Sequence, residues 1–168
     1  MNKRFSIAAA IAALTFASTP AAAVTPATQA TATAKIFKPL TIAATQSLDF
    51  GVIVLSGSGF TGESVSMNTS GAVTCGTTAG DLTCSGSPKP AIYHLTGTAN
   101  ANVTITSPGF TLSNGSATLP FAPTFSSTVQ LSSTGVLDVN LGGTITGLSN
   151  TTADGVYAGT FQVTANYQ

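Results

Sequence analysis

The chain has 168 residues, with five basic and five acidic side chains, one histidine and two cysteines. That length suits one domain. Charge this sparse offers no basic patch to neutralise phosphates, which speaks against a nucleic-acid binder. It also leaves few groups for acid–base catalysis. Hydrophobic residues make up 43% of the chain, so low charge does not mean disorder; there is enough apolar material to fill a core.

Residues 1–4 form a short basic head, and 5–16 form an apolar run of Ala, Ile and Leu. Pro20 breaks the run, and Ala21-Ala22-Ala23 fits a small-residue cleavage site. This three-part build predicts a secretory signal peptide over 1–23, with an apolar core too short to span a bilayer. The exported chain would begin at Val24, with a short extension over 24–29 and one domain over 30–168. No later stretch reads as a transmembrane helix. After residue 23 the charges are Lys35, Lys38 and Lys89 against Asp49, Glu63, Asp81, Asp138 and Asp154, a net negative balance.

The exported part reads as strands between turns. Ala30, Ala32, Ala34 and Ile36 alternate with Thr31, Thr33 and Lys35, which predicts a strand rather than a helix. Pro39 then forces an edge or a break. Alternation resumes at Leu40-Thr41-Ile42 and again over 47–55, before a glycine-rich loop at 56–59. Residues 63–75 carry a weaker strand pattern.

Cys75 and Cys84 follow, an even pair in a chain expected to be exported, which reads as a disulfide across a hairpin-like run. A metal site would need further Cys or His ligands, and the single histidine is His94. Clean alternation returns at 93–97 and 102–106, stopped by Ser107-Pro108-Gly109. Shorter candidates lie at 110–112, 121–125 and 129–131. In 136–141, Leu137, Val139 and Leu141 share one face, and Gly142-Gly143 after them predicts a bulge or a close backbone approach.

The stretch 155–168 ends the chain. Tyr157, Phe161, Val163, Ala165 and Tyr167 fall on one face, with Gly155 and Gly159 as gaps. Thr160, Gln162, Thr164, Asn166 and Gln168 fall on the other. This predicts a half-buried strand running to the end.

Short alternating strands separated by turns, with no sustained helical period, predict an all-β fold. The expected form is an immunoglobulin-like antiparallel β-sandwich of about seven or eight strands. The rival is a small outer-membrane β-barrel. Barrels carry lipid-facing bands and aromatic girdles, and this chain has no Trp and three Tyr.

Chemistry-bearing motifs are scarce. A Ser/His/Asp triad would have to be built on His94, which is expected to face solvent, and no Gly-x-Ser-x-Gly elbow marks a nucleophile. Gly57-Ser58-Gly59 has no following Lys or helix and is not a phosphate loop. The chain is read as a non-enzyme without cofactor or metal.

Two resemblances rest on these residues. The run 155–168 resembles the last strand of chaperone–usher fimbrial subunits, with Gly155 standing fourteenth from the end and Tyr167 penultimate. More broadly, residues 30–168 resemble the secreted proteobacterial domain-of-unknown-function family 4402. The motifs are Ala30-Thr31-Ala32-Thr33-Ala34 with Pro39-Leu40-Thr41-Ile42, then Leu48-Asp49-Phe50-Gly51, then Val103-Thr104-Ile105 with Pro108, Leu141-Gly142-Gly143-Thr144, and Gly155-Val156-Tyr157-Ala158-Gly159-Thr160-Phe161-Gln162-Val163.

The resemblance implies a pilin-like structural or assembly subunit, located in the periplasm, at the outer-membrane surface or outside the cell. It would act by β-strand complementation. The donor residues would be Ala30, Ala32, Ala34 and Ile36. The acceptor residues would be Gly155, Tyr157, Phe161, Val163 and Tyr167. The partners implied are like subunits, a periplasmic chaperone and an outer-membrane usher. The alternative is a self-complete secreted binding module, for instance for surface polysaccharide, with Phe60 and Phe110 as contacts.

Overall fold

The structure is a computed structural model that describes residues 27–168, so the expected signal peptide and the start of the extension lie outside the described residues. Residues 27–35 are exposed, carry no regular secondary structure and form a unit apart from 36–168. The strand expected over 30–36 is therefore not formed. Its alternate side chains are mostly alanines, each with little apolar area to offer a sheet, too little to offset the entropy of ordering the backbone.

Twelve strands follow: β1 (Thr41–Gln46), β2 (Val52–Leu55), β3 (Glu63–Met67), β4 (Val73–Cys75), β5 (Leu82–Ser85), β6 (Ala91–Thr96), β7 (Asn102–Thr106), β8 (Phe110–Asn114), β9 (Ala117–Thr124), β10 (Thr128–Gln130), β11 (Val136–Leu148) and β12 (Thr164–Tyr167). All pairings are antiparallel. The all-β antiparallel class is the one the alternation predicts. The strand number exceeds the expected seven or eight because turns cut the runs shorter. In 47–55, for example, Gly51 turns the chain at φ 74° and only Val52–Leu55 forms a ladder.

The strands form three sheets. One has seven strands, with the path β1-β6-β11-β3-β4 and the β8–β9 hairpin joined to β11 through β9. The others are β10-β7-β12 and β2-β5. These are open sheets with edges, not the one closed sheet that a barrel needs.

The long strand β11 organises the domain. Its first half pairs with β6, from Val136↔Thr96 to Leu141↔Ala91. Its second half pairs with β9 and β3, with Gly143 opposite both Pro123 and Met67. The change of partner falls at Gly142-Gly143. A side chain on Gly142 would overlap the Met67 carbonyl, and one on Gly143 would overlap the Phe121 ring. The close backbone approach expected there is what the two glycines permit.

Each half of β11 faces its own apolar cluster. The first holds Leu95, Val103, Ile105, Leu131 and Val139, and Ala165 and Tyr167 of β12 pack on it together with Val163 just before that strand. The second holds Phe60, Val65, Leu82, Leu119, Phe121, Ile145 and Leu148.

The final stretch departs from expectation in extent. Only Thr164–Tyr167 forms a strand, paired with β7. Before it, the chain over 155–163 joins a ladder at one bridge, Ala158 to Ser113. The two glycines explain the break. Gly155 has φ 132° and packs close to the Asn114 amide, and Gly159 lies so near Thr111 O that a Cβ there would sit 2.8 Å from it. The alternation still sets the faces: Phe161, Val163, Ala165 and Tyr167 are half-buried, while Gln162, Thr164, Asn166 and Gln168 are exposed.

Candidate functional site

The second cluster is not fully covered. A cleft of about 770 Å³ opens over it, between β2 with the residues leading into it on one side and residues 152–161 on the other. Its floor is apolar, with Phe110, Leu112, Leu119, Phe121, Ile145 and Leu148. Its rims carry Val52, Val54 and Val156, which are 55%, 47% and 84% exposed.

Both walls present unpaired backbone. The β2 ladder runs to β5 alone, so the other edge of β2 has no partner among the described residues. In 152–161, the backbone bonds among the described residues are those of Thr152 to Ser149 and of Ala158 with Ser113. Side chains hold this wall where the ladder does not. The Asn114 amide donates to Asp154 O at 2.7 Å, and the Tyr157 hydroxyl donates to Ala153 O at 2.9 Å. Unpaired N–H and C=O groups flanking an apolar floor are what an added strand needs.

An aromatic group braces the cleft. Phe161 stacks on Phe110 with centroids 4.9 Å apart, and Phe110 lies 4.7 Å from Phe121. Tyr93 meets Phe161 edge-on at 6.4 Å, and burial pushes the Tyr93 phenol pKa up. Phe60, expected as a possible sugar contact, is 7% exposed in the core, and Phe110 is engaged in the stack.

The disulfide is present: Cys75 and Cys84 join β4 to β5, with Cα atoms 5.8 Å apart. Beside it, Glu63 is 4% exposed. The Thr77 amide, foremost, and then Thr78 and the Thr77 hydroxyl hold its carboxyl at a pKa of about 2. The Thr77 hydroxyl donates at 2.9 Å and the Thr78 amide at 3.2 Å. This carboxylate serves the loop between β4 and β5 by satisfying amides that the turn leaves over. Nothing in the sequence around Glu63 signals it, because its partners lie well along the chain.

The structure divides the expected acceptor residues. Gly155, Tyr157 and Phe161 line the cleft. Val163 and Tyr167 belong to the other cluster. Of the expected donor residues, Ala30, Ala32 and Ala34 are exposed in the stretch without secondary structure, and Ile36 is 88% exposed. The β2 wall was not singled out from the sequence. The sign available in the sequence was the unbroken apolar run Val52-Ile53-Val54-Leu55, which puts apolar side chains on both faces of the strand.

His94 does meet an acid. Its Nδ1 lies 2.6 Å from Asp138 Oδ1 across the β6–β11 ladder, on an exposed face. The rung continues to Ala43 on β1. Among the described residues no group of three or more His, Cys, Asp or Glu is placed to hold a metal, and no helix is long and apolar enough to cross a membrane.

No curated protein and no solved structure matches the chain. A family profile does match, over residues 40–167, which begins where the ordered strands begin. The chain belongs to the family described as Domain of unknown function (DUF4402).

Proposed function

We propose that the protein is an exported, pilin-like structural subunit of the bacterial surface that assembles by β-strand complementation. The observation that carries this reading is the cleft: an apolar floor between the β2 edge, unpaired among the described residues, and the sparsely bonded stretch 152–161. An extended segment laid into it would pair with β2 on one side and with 152–161 on the other, while its alternate side chains enter the floor. Residues 27–36 of a second copy are the proposed donor, with Ala30, Ala32, Ala34 and Ile36 turned inward. A periplasmic chaperone would fill the same cleft during transit, and an outer-membrane usher would receive the subunit.

Mixing two variants of the exported protein tests this. One lacks residues 24–35 and keeps the cleft. The other keeps those residues and carries Val54→Arg with Val156→Arg on the exposed rims. Each alone should stay monomeric, and the mixture should give heterodimers and nothing longer. Identical oligomers from the truncated variant and the intact protein would rule out the donor. Saturable binding of surface polysaccharide by a monomeric intact protein would favour a self-complete binding module instead.

A further inference from the structure

We infer that Tyr167 is a latch that fixes the point at which the amino-terminal arm leaves the domain. Its use in assembly rests on the strand-complementation reading; its geometry does not.

The ring of Tyr167 lies flat on Phe37, with centroids 4.4 Å apart and planes at 9°. Its hydroxyl donates to Lys38 O at 2.9 Å and accepts from the Thr98 amide at 2.7 Å. The Lys38 amide in turn donates to Thr98 Oγ1 at 2.6 Å. Both backbone groups of Lys38 are thus held, one by Tyr167 and the other by the residue whose own amide is bound to Tyr167. A phenol is suited to this because it donates and accepts through one oxygen.

The surroundings are shaped around that oxygen. A methyl group on Gly97 would overlap the Tyr167 hydroxyl. On the other side of the latch, Tyr167 is fixed by its register with Val103, which is fully buried. Pro39 has no amide to offer and keeps Lys38 out of helical conformations, so the chain enters β1 in an extended state. Immediately outside the latch, Ile36 is 88% exposed. The latch therefore grips the chain at Phe37 and Lys38, directly before β1.

A donor arm whose root can swing would join two subunits loosely. A root pinned by stacking and by hydrogen bonds gives the junction a defined origin. In this way the last strand of each subunit, which covers one cluster, also sets how stiffly that subunit's arm is presented to the next copy.

Amide hydrogen exchange on the folded exported protein is the test, with wild type, Tyr167→Phe and Gly97→Ala. Tyr167→Phe keeps the ring and removes the bonds to Lys38 O and from the Thr98 amide. The Thr98 amide then loses its acceptor directly, and the Lys38 amide, bonded to Thr98 Oγ1, is loosened through its freed carbonyl. Both should exchange faster, Thr98 roughly tenfold or more. Gly97→Ala should do the same by displacing the hydroxyl from the opposite side. The Ile105 amide, bonded to Ser127 O at 2.8 Å, should keep its protection in both variants. Unchanged exchange at Lys38 and Thr98 in Tyr167→Phe would overturn the latch. So would loss of protection spread evenly over β7 and β12, since that would mark a purely structural role. In assembled chains, Tyr167→Phe should increase bending at the junctions seen by electron microscopy, and unchanged bending would also count against the inference. If the wild-type protein forms no chains, the strand-complementation reading fails while the exchange result still decides the latch.

Discussion

The two clusters along β11 are built alike and finished differently. At the first, β10, β7 and β12 lie in one sheet, and Val163, Ala165 and Tyr167 close over Leu95, Val103 and Ile105. At the second, β2 and residues 152–161 stand apart over Phe121, Ile145 and Leu148, and a cleft remains between them. The same continuous stretch of chain forms a paired strand at one cluster and a one-bridge wall at the other. Apolar alternation gives a segment two faces, but backbone pairing also requires a neighbour. At the second cluster that neighbour is absent from the described residues.

The contrast can be broken by measuring where stability resides. Leu95→Ala, at a position with no exposure, should cost about 2–5 kcal/mol in chemical denaturation. Leu112→Ala, on the half-buried cleft floor, should cost roughly 1 kcal/mol. Equal losses would mean that the cleft end is packed as tightly as the closed end.

The disulfide sharpens the comparison, since Cys75 and Cys84 pack beside the second cluster. The double variant Cys75→Ser, Cys84→Ser should lose about 2–3 kcal/mol through the short loop it no longer closes. The loss should appear as faster amide exchange in β4 and β5 and leave β7 and β12 unaffected. A uniform rise across both ends would show that the two clusters do not open separately.

Acid should act on the same end. Glu63 falls from an ordinary pKa of 4.5 to about 2 in the folded protein. The unfolded chain therefore takes up its proton first as pH drops. The stability contributed by this carboxylate is fully present above about pH 4.5 and is lost as pH falls toward 2. Glu63→Gln should flatten that part of the stability profile, read from thermal melts at successive pH values. An unchanged slope would assign the acid sensitivity elsewhere. The smallest effect is expected at the exposed His94–Asp138 pair, where Asp138→Ala should change stability by at most about 1 kcal/mol.

Much of this arrangement was legible in the residues. The alternating faces of 102–106, 136–141 and 161–167 appear as read, and Cys75–Cys84 is joined. The close approach at Gly142-Gly143 was visible as a pair of missing side chains in a strand. What was not legible depended on distant partners. Alternation in Ala30, Ala32 and Ala34 does not by itself make a strand, because alanines bury little and no neighbouring edge is supplied. Tyr167 sits on the predicted apolar face, but its hydroxyl partners at Lys38 and Thr98 lie far along the chain. The cleft needed β2 and 152–161 placed in space, and neither carries a motif for an unpaired edge.

The most direct measurement is amide hydrogen exchange on a variant in which residues 27–36 are repeated after Gln168 through a flexible linker. Tethering supplies the donor at high effective concentration, so weak pairing is still seen. If the cleft accepts a strand, alternate amides of β2 and of 152–161 gain protection relative to the untethered protein, while those of β7 and β12 stay as they were. Unchanged exchange along both walls of the cleft would contradict strand complementation as the way this protein assembles.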